Sequence, residues 1–354
     1  LTPTKRTTSP SRHHPERVLL IGNFGNGNVG DDAILLQAAA GAAERGQVTV
    51  LSRRPENTEK LVPDARSVTM VSRDALAAFF HTDVVVLGGG GIFGKGLPPL
   101  VSLLPFVLLV AEAMGKQVEI RSIGAYPDMP APVAWALRRV VRRARFVSAR
   151  DAASVKVLGG GNVLLVKDPA WDLVPADPLL VDAALADAGA GAGAGEGSPM
   201  VAVSLKPTSD PVLDERCLAT MAEALDRWAA GNDGDIVFMS FSDKGDYDLG
   251  DQVTDLLLGR RLQAQMANGD RIRFVGPGLH PAVMLGVVAR CSAMVAMRLH
   301  AQIFASVVDR PVFGLSFEPK SDEFLSSVGI IPIRPDAVTP DELCSWLEGV
   351  APAA

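Results

Sequence analysis

Short apolar, β-branched runs alternate with helical stretches twice along this chain, and a glycine- and alanine-rich segment separates the two series. In the first series "RVLLIGN", "QVTVLSRR", "DVVVLGGGG", "QVEIRSIGA" and "FVSARD" read as strands. "DDAILLQAAAGAAER", "RDALAAFF" and "APVAWALRRVVRRAR" read as helices between them. Strands that are apolar throughout, rather than at every second residue, belong to a parallel sheet covered on both faces. The segment "AALADAGAGAGAGEGSP", 183–199, has the composition of a linker. Beyond it "MVAVSLKP", "DIVFMSFS", "RIRFVG", "AMVAMR" and "PVFGLSF" restart the pattern. The expected fold is α/β, with two Rossmann-like domains facing a central cleft. The expected division is a disordered tail 1–16, an N-terminal domain 17–180, the linker 183–199 and a C-terminal domain 200–350. In such sheets ligands bind outside the carboxyl ends of the strands, so residues just after strands are the candidates for function.

Composition narrows the function. With 34 basic and 40 acidic residues among 354, the net charge of −6 argues against a nucleic-acid binder. Cys217, Cys291 and Cys344 are widely spaced, which excludes a disulfide framework or zinc knuckle and suits a reducing cytoplasm. No metal cluster is evident. The apolar run from Leu97 to Ala111 has 15 residues and three prolines, shorter than the ~20 residues of a spanning helix, and is expected to be a buried helix. In "WALRRVVRRAR", Arg138, Arg139, Arg142 and Arg143 form one stripe. Such a stripe is a solvated face or a peripheral contact with anionic headgroups at the inner face of a membrane.

The loop "GNFGNGNVGDD" after the first strand contains a G-x-G-x-x-G, Gly25 to Gly30. It begins three residues later than a dinucleotide fingerprint requires, and Asp31 and Asp32 stand where a pyrophosphate would need a positive helix end. No Gly-Lys-Ser/Thr follows, so the phosphate-binding P-loop pattern also fails. Besides a tight turn with a helix cap, a hydroxyl-rich ligand close to the backbone fits this loop. Gly27, Asn28 and Gly30, with Gly89 and Gly90 after the third predicted strand, are the candidates for holding a sugar.

The second dense signal is "MRLHAQIFASVVDRPVFGLSFEPK". A strand end there delivers Arg298 and His300 to a helix N-terminus, which favours anions. Arg298 offers a two-pronged donor for phosphate or carboxylate, and imidazole exchanges protons near neutral pH. Lys320 follows the next strand, and Lys206 ends the second domain's first strand. Asp248, in a loop leading into a helix, is a further ligand candidate. Arg121 is either a contact for an acidic acceptor or a surface residue.

In order along the chain, "GNVGDDAIL", "VVVLGGGGIF", "SIGAYP", "SARDAASVKVLG", "VKDPAWDL", "VAVSLKP" and the Arg-Leu-His segment resemble the polysaccharide pyruvyl transferases, from about Val18 to Ile330. The resemblance implies an architecture like that of GT-B glycosyltransferases. It also implies transfer of the enolpyruvyl carbons of phosphoenolpyruvate to sugar hydroxyls, forming a pyruvate ketal and releasing phosphate. Phosphoenolpyruvate is a co-substrate here and no cofactor is implied. The donor would sit against the second domain, on Arg298, Leu299, Lys320 and Lys206, with His300 as general acid. The sugar, free or linked to a nucleotide or lipid, would sit against the first domain with Asp31 as base. Lys206 departs from the family, where arginine is usual. A GT-B glycosyltransferase using a nucleotide sugar is the alternative, and a non-catalytic carbohydrate-binding protein is a third reading. The residues say nothing about oligomeric state.

Overall fold

The computed structural model describes residues 14–94, 99–191, 198–244 and 254–351. The first sheet holds β1 (Glu16–Ile21), β2 (Gly46–Ser52), β3 (Arg66–Thr69), β4 (Val84–Leu87), β5 (Gly90–Phe93), β6 (Gln117–Ala125), β7 (Phe146–Ala149) and β8 (Leu164–Leu165). Their order is β3-β2-β1-β4-β6-β7-β8, with β5 beside the far half of β6. The second sheet, β11 (Ile272–Val275), β10 (Ile236–Met239), β9 (Val201–Ser204), β12 (Ala293–Ala296) and β13 (Val312–Gly314), runs in that order. Every pairing is parallel: Val18 lies between Val48 and Val84, and Val203 between Phe238 and Val295.

Period-two alternation explains why these strands are apolar at every position. Leu19, Ile21, Val85 and Leu87 point into one core, whereas Val18, Leu20, Val84 and Val86 point into another on the opposite face. The second sheet divides likewise, with Val201, Val203 and Phe238 on one face and Ala202, Val237 and Met239 on the other. Both faces are covered at these positions, which keeps them apolar. In each sheet the strand order reverses beside the first strand, at β1/β4 and β9/β12, which is where a crevice opens for ligands.

The helix Val29–Ala43 joins the domains. Leu35, Ala39 and Ala42 pack on the first sheet, while Val29 and Ala33 enter the core of the second. The expected linker begins too early, because Ala183 to Asp187 complete the helix Pro178–Asp187. Asp177 caps that helix by accepting from Leu179 N at 2.8 Å, and Val181 and Leu185 are buried in the second domain's core. Alanine serves helices as readily as linkers, so composition placed this boundary poorly. Glu16, expected to end a tail, opens β1. The helix Pro55–Leu61 and strand β3 were not foreseen; the helix is mostly exposed and carries little apolar periodicity. Among the described residues no helix is long and apolar enough to cross a membrane.

Candidate active site at the edge of both sheets

The glycine loop after β1 is clamped by the second domain. Val29 N donates to Phe241 O at 2.9 Å, and Asp243 N donates to Gly27 O at 3.0 Å. Arg54 grips the Asp243 carboxylate with both arms, at 2.7 and 3.0 Å. A side chain at Gly27, whose φ is +76°, would collide with Asp243, and one at Gly30 would lie 1.9 Å from His300 Nδ1. The space beside these two glycines is therefore filled by the protein's own side chains, which accounts for glycine there without a sugar. Asn28 is likewise engaged: its Oδ1 accepts from Gly30 N at 2.9 Å and Asp31 N at 3.3 Å. Asn28 is thus the cap of this helix, with Asp31 and Asp32 inside its first turn. Gly30→Ala is expected to cost about 1–3 kcal/mol by overpacking, to be measured by urea unfolding.

Around Gly30 the two domains bring ionisable groups together. Asp31, in the first turn of the helix, is buried and accepts from Asn23 Nδ2 at 2.7 Å. Burial raises its carboxyl to about 6, opposed by the Asn23 hydrogen bond and by Arg150 and Lys320. Burial and the neighbouring Asp31 raise Asp32 to about 7. His300, from the helix after β12, lays its ring over Gly30, and its Nε2 is buried without a hydrogen-bond partner among the described residues. That nitrogen stands 3.9 Å from Asp168 Oδ2. Burial lowers the imidazole to about 4; Asp168 opposes the shift, and Arg150, Lys320 and Arg298 reinforce it. At neutral pH the ring is uncharged.

Arg150 and Asp168 lie within two of the family-like segments, and the structure makes them neighbours of His300. Arg150 follows β7 directly, donates to Asp168 Oδ2 at 3.0 Å, and fills the space beside Gly91 and Gly124. Its buried guanidinium also reaches the Tyr126 hydroxyl at 3.4 Å. Asp168 is held by the backbone N–H of Ala170 at 3.1 Å. A charged residue at the end of a buried strand was the available signal for Arg150; nothing local marks Asp168.

The expected donor residues have carboxylate partners. Arg298 is buried with its guanidinium on the fully buried Asp255, Nε at 3.1 Å from both oxygens and Nη2 at 2.5 Å from one. Asp255 also accepts from Phe241 N and Ser242 N, each at 3.1 Å, so the pair fastens the segment that clamps the glycine loop. Leu299 packs into the second domain's core. Lys206 and Lys320 share Glu318, which ion-pairs with both. Although burial opposes it, the two lysines hold the Glu318 carboxyl at about 2.

Gly89 lies against the carbonyl of Ser122, and Gly90, with φ of +102°, opens β5. Ser122 itself has a left-handed backbone, φ +52°, where the register of β6 with β7 shifts. Arg121 is not brought to this cluster. It pairs with Glu119 at 2.8 Å and covers the Phe146 ring, among Arg45, Arg145 and Glu16 near the amino ends of the strands. Asp248 lies outside the described residues.

Two Rossmann-like domains with ionisable groups converging at their strand ends define the GT-B type of fold, and solved structures agree. The UDP-GlcNAc 2-epimerase from Neisseria meningitidis bound to UDP-GlcNAc is similar with a TM-score of 0.59 at 10% identity, over 94% of this chain and 90% of that one. The E. coli ADP-heptose lps heptosyltransferase II gives 0.53 at 11%, over 95% and 98%. Anabaena Alr3699/HepE in complex with UDP-glucose gives 0.55 at 12%, over 94% and 95%. At these identities the likeness is one of fold. No curated protein matches the chain in sequence. The family model for polysaccharide pyruvyl transferase matches residues 28–319, and the chain belongs to that family.

Proposed function

We propose that this transferase moves the enolpyruvyl carbons of phosphoenolpyruvate onto hydroxyls of a saccharide in a cell-surface polysaccharide or its precursor. The observation that carries the reading is that His300 of the second domain lies over Gly30, the chain neighbour of Asp31 in the first, and that both side chains feel Arg150, Lys320 and Asp168. Their environments drive a base and an acid to different protonation behaviour in one cluster.

In this reading His300 protonates the methylene carbon of phosphoenolpyruvate, leaving positive charge on C2. Asp31, near neutrality in its affinity for protons, takes the proton of a sugar hydroxyl as its oxygen bonds to C2. The C2–O bond to phosphate then breaks and phosphate departs with the electron pair, taking the proton from Asp31. A second hydroxyl bonds to C2 and closes the ketal as its proton passes to the His300 imidazole, which restores both groups. The donor's carboxylate and phosphate would be met by Lys320, Lys206 and Arg150. Glu318 occupies the place of an anion between the two lysines, so an incoming donor competes with it. The acceptor would lie along the first sheet's edge by Gly89 and Gly90, since Gly27 and Gly30 are occupied.

A neutral imidazole is no acid, and donor binding supplies the remedy. The added negative charge offsets Arg150, Lys320 and Arg298, which hold the ring's proton affinity down. Titration calorimetry with phosphoenolpyruvate near pH 7, in buffers of different ionisation enthalpy, is expected to show net proton uptake. The uptake should fall in His300→Gln while binding persists, the remainder belonging to Asp31 and Asp32. Tight binding of UDP- or GDP-sugars with none of phosphoenolpyruvate would instead support the glycosyltransferase reading.

A further inference from the structure

The helices Pro99–Ala113 and Ala131–Val141 lie side by side on one face of the first sheet, their inner residues Leu104, Leu108, Leu137 and Val140 in its core. What they present outward is unusual for an acidic protein. On the first helix Leu103, Val110 and Met114, the last just past its end, are 54%, 53% and 43% exposed. Their spacing of i, i+7 and i+11 makes one apolar stripe. On the second helix Trp135 is 61% exposed. With Arg138, Arg139 and Arg142 it lines a shallow surface concavity of about 380 Å³. Arg143 is exposed beside them. Glu112, at the seam, feels Arg139 and Arg143.

We infer that this two-helix face docks on the surface of an anionic lipid bilayer. Four exposed arginines on a chain of net charge −6 make this face complementary to an anionic partner. A second copy meeting this face across a two-fold axis would oppose arginines with arginines. The apolar stripe and the exposed indole have no use for a purely polyanionic partner. They match the boundary of a bilayer, where Trp sits at headgroup level and aliphatic side chains enter the acyl region. The concavity between Trp135 and the arginines is of a size and charge for a lipid phosphate. Both helices run back from the carboxyl edge of the first sheet, after β5 and β6, so the arginines and Met114 at their far ends lie toward its amino edge, leaving the candidate site clear of the docked surface. The inference stands whether or not the donor is phosphoenolpyruvate.

Vesicle co-sedimentation tests it without any substrate. The protein is expected to pellet with vesicles of phosphatidylcholine and phosphatidylglycerol but not with phosphatidylcholine alone, and to be released by salt. Combining Arg138→Gln, Arg139→Gln and Arg142→Gln, all at exposed positions, should lower partitioning by about 100-fold. Trp135→Ala should weaken it with the arginines intact. Equal binding by the triple variant, or none by the unaltered chain, overturns the proposal. So does a fall in sedimenting mass of the vesicle-free protein on introducing the triple variant, which would identify the face as a contact between copies.

Discussion

Replacing His300 by glutamine is expected to lower kcat by about 10²- to 10⁴-fold, the usual contribution of a positioned proton donor. Glutamine keeps a polar group against Gly30 but cannot deliver a proton to carbon. A second readout separates this role from a packing role. The imidazole binds its proton at about 4 in the folded chain against 6.5 ordinarily. Between those values the unfolded chain holds more protons, so stability rises with pH through that window and is lost as pH falls from 6.5 towards 4. The contribution is on the order of 3 kcal/mol. Urea unfolding of His300→Gln across that range should lack the ring's contribution, so that the stability of the unaltered chain relative to the variant rises from pH 4 to 6.5, whatever slope Asp31 and Asp32 add to both. Unchanged kcat would sink the acid role, whereas an unchanged pH slope would mean that the ring is not held neutral by burial.

The second large effect concerns the pair beneath the site. Arg298→Ala strands Asp255 without its main counter-charge in a place of no solvent exposure, and should cost about 3–5 kcal/mol of stability. Because Asp255 also holds Phe241 N and Ser242 N, the loss should loosen the second domain's grip on the glycine loop. Replacing Arg298 and Asp255 together by leucine should recover part of the stability, since the two opposed charges leave the interior together. Denaturant titration reads both. Arg298→Lys keeps the charge but not the fork. If it preserves stability while phosphoenolpyruvate affinity collapses, Arg298 acts mainly on the donor; if stability falls with the affinity, it acts as the anchor of Asp255.

Much of the site was legible because its first components are local. Asp31 follows the glycine loop directly, and Arg298 and His300 share three residues at a strand end. Their partners are distant in the chain: Arg150 and Asp168 are 18 residues apart, Arg298 and Asp255 43, Lys206 and Glu318 112, and Arg54 and Asp243 189. A carboxylate in an unremarkable loop gives no local sign that a guanidinium will fold onto it. The glycines at 27 and 30 show the same limit. Their permissiveness was evident, but whether ligand or protein fills the space beside them depends on how the domains close.

From sequence alone came two parallel α/β sheets with candidate residues just after their strands, because an apolar run that alternates with nothing must be buried on both faces. The family's ordered motifs were legible for the same reason, being contiguous. Tertiary structure alone decided that Asn28 caps the helix, that Arg298 and both lysines face carboxylates, that Arg121 lies away from the cluster, and that His300 is neutral. These depend on desolvation and on charges a few ångströms apart across two domains, which spacing along a chain does not encode.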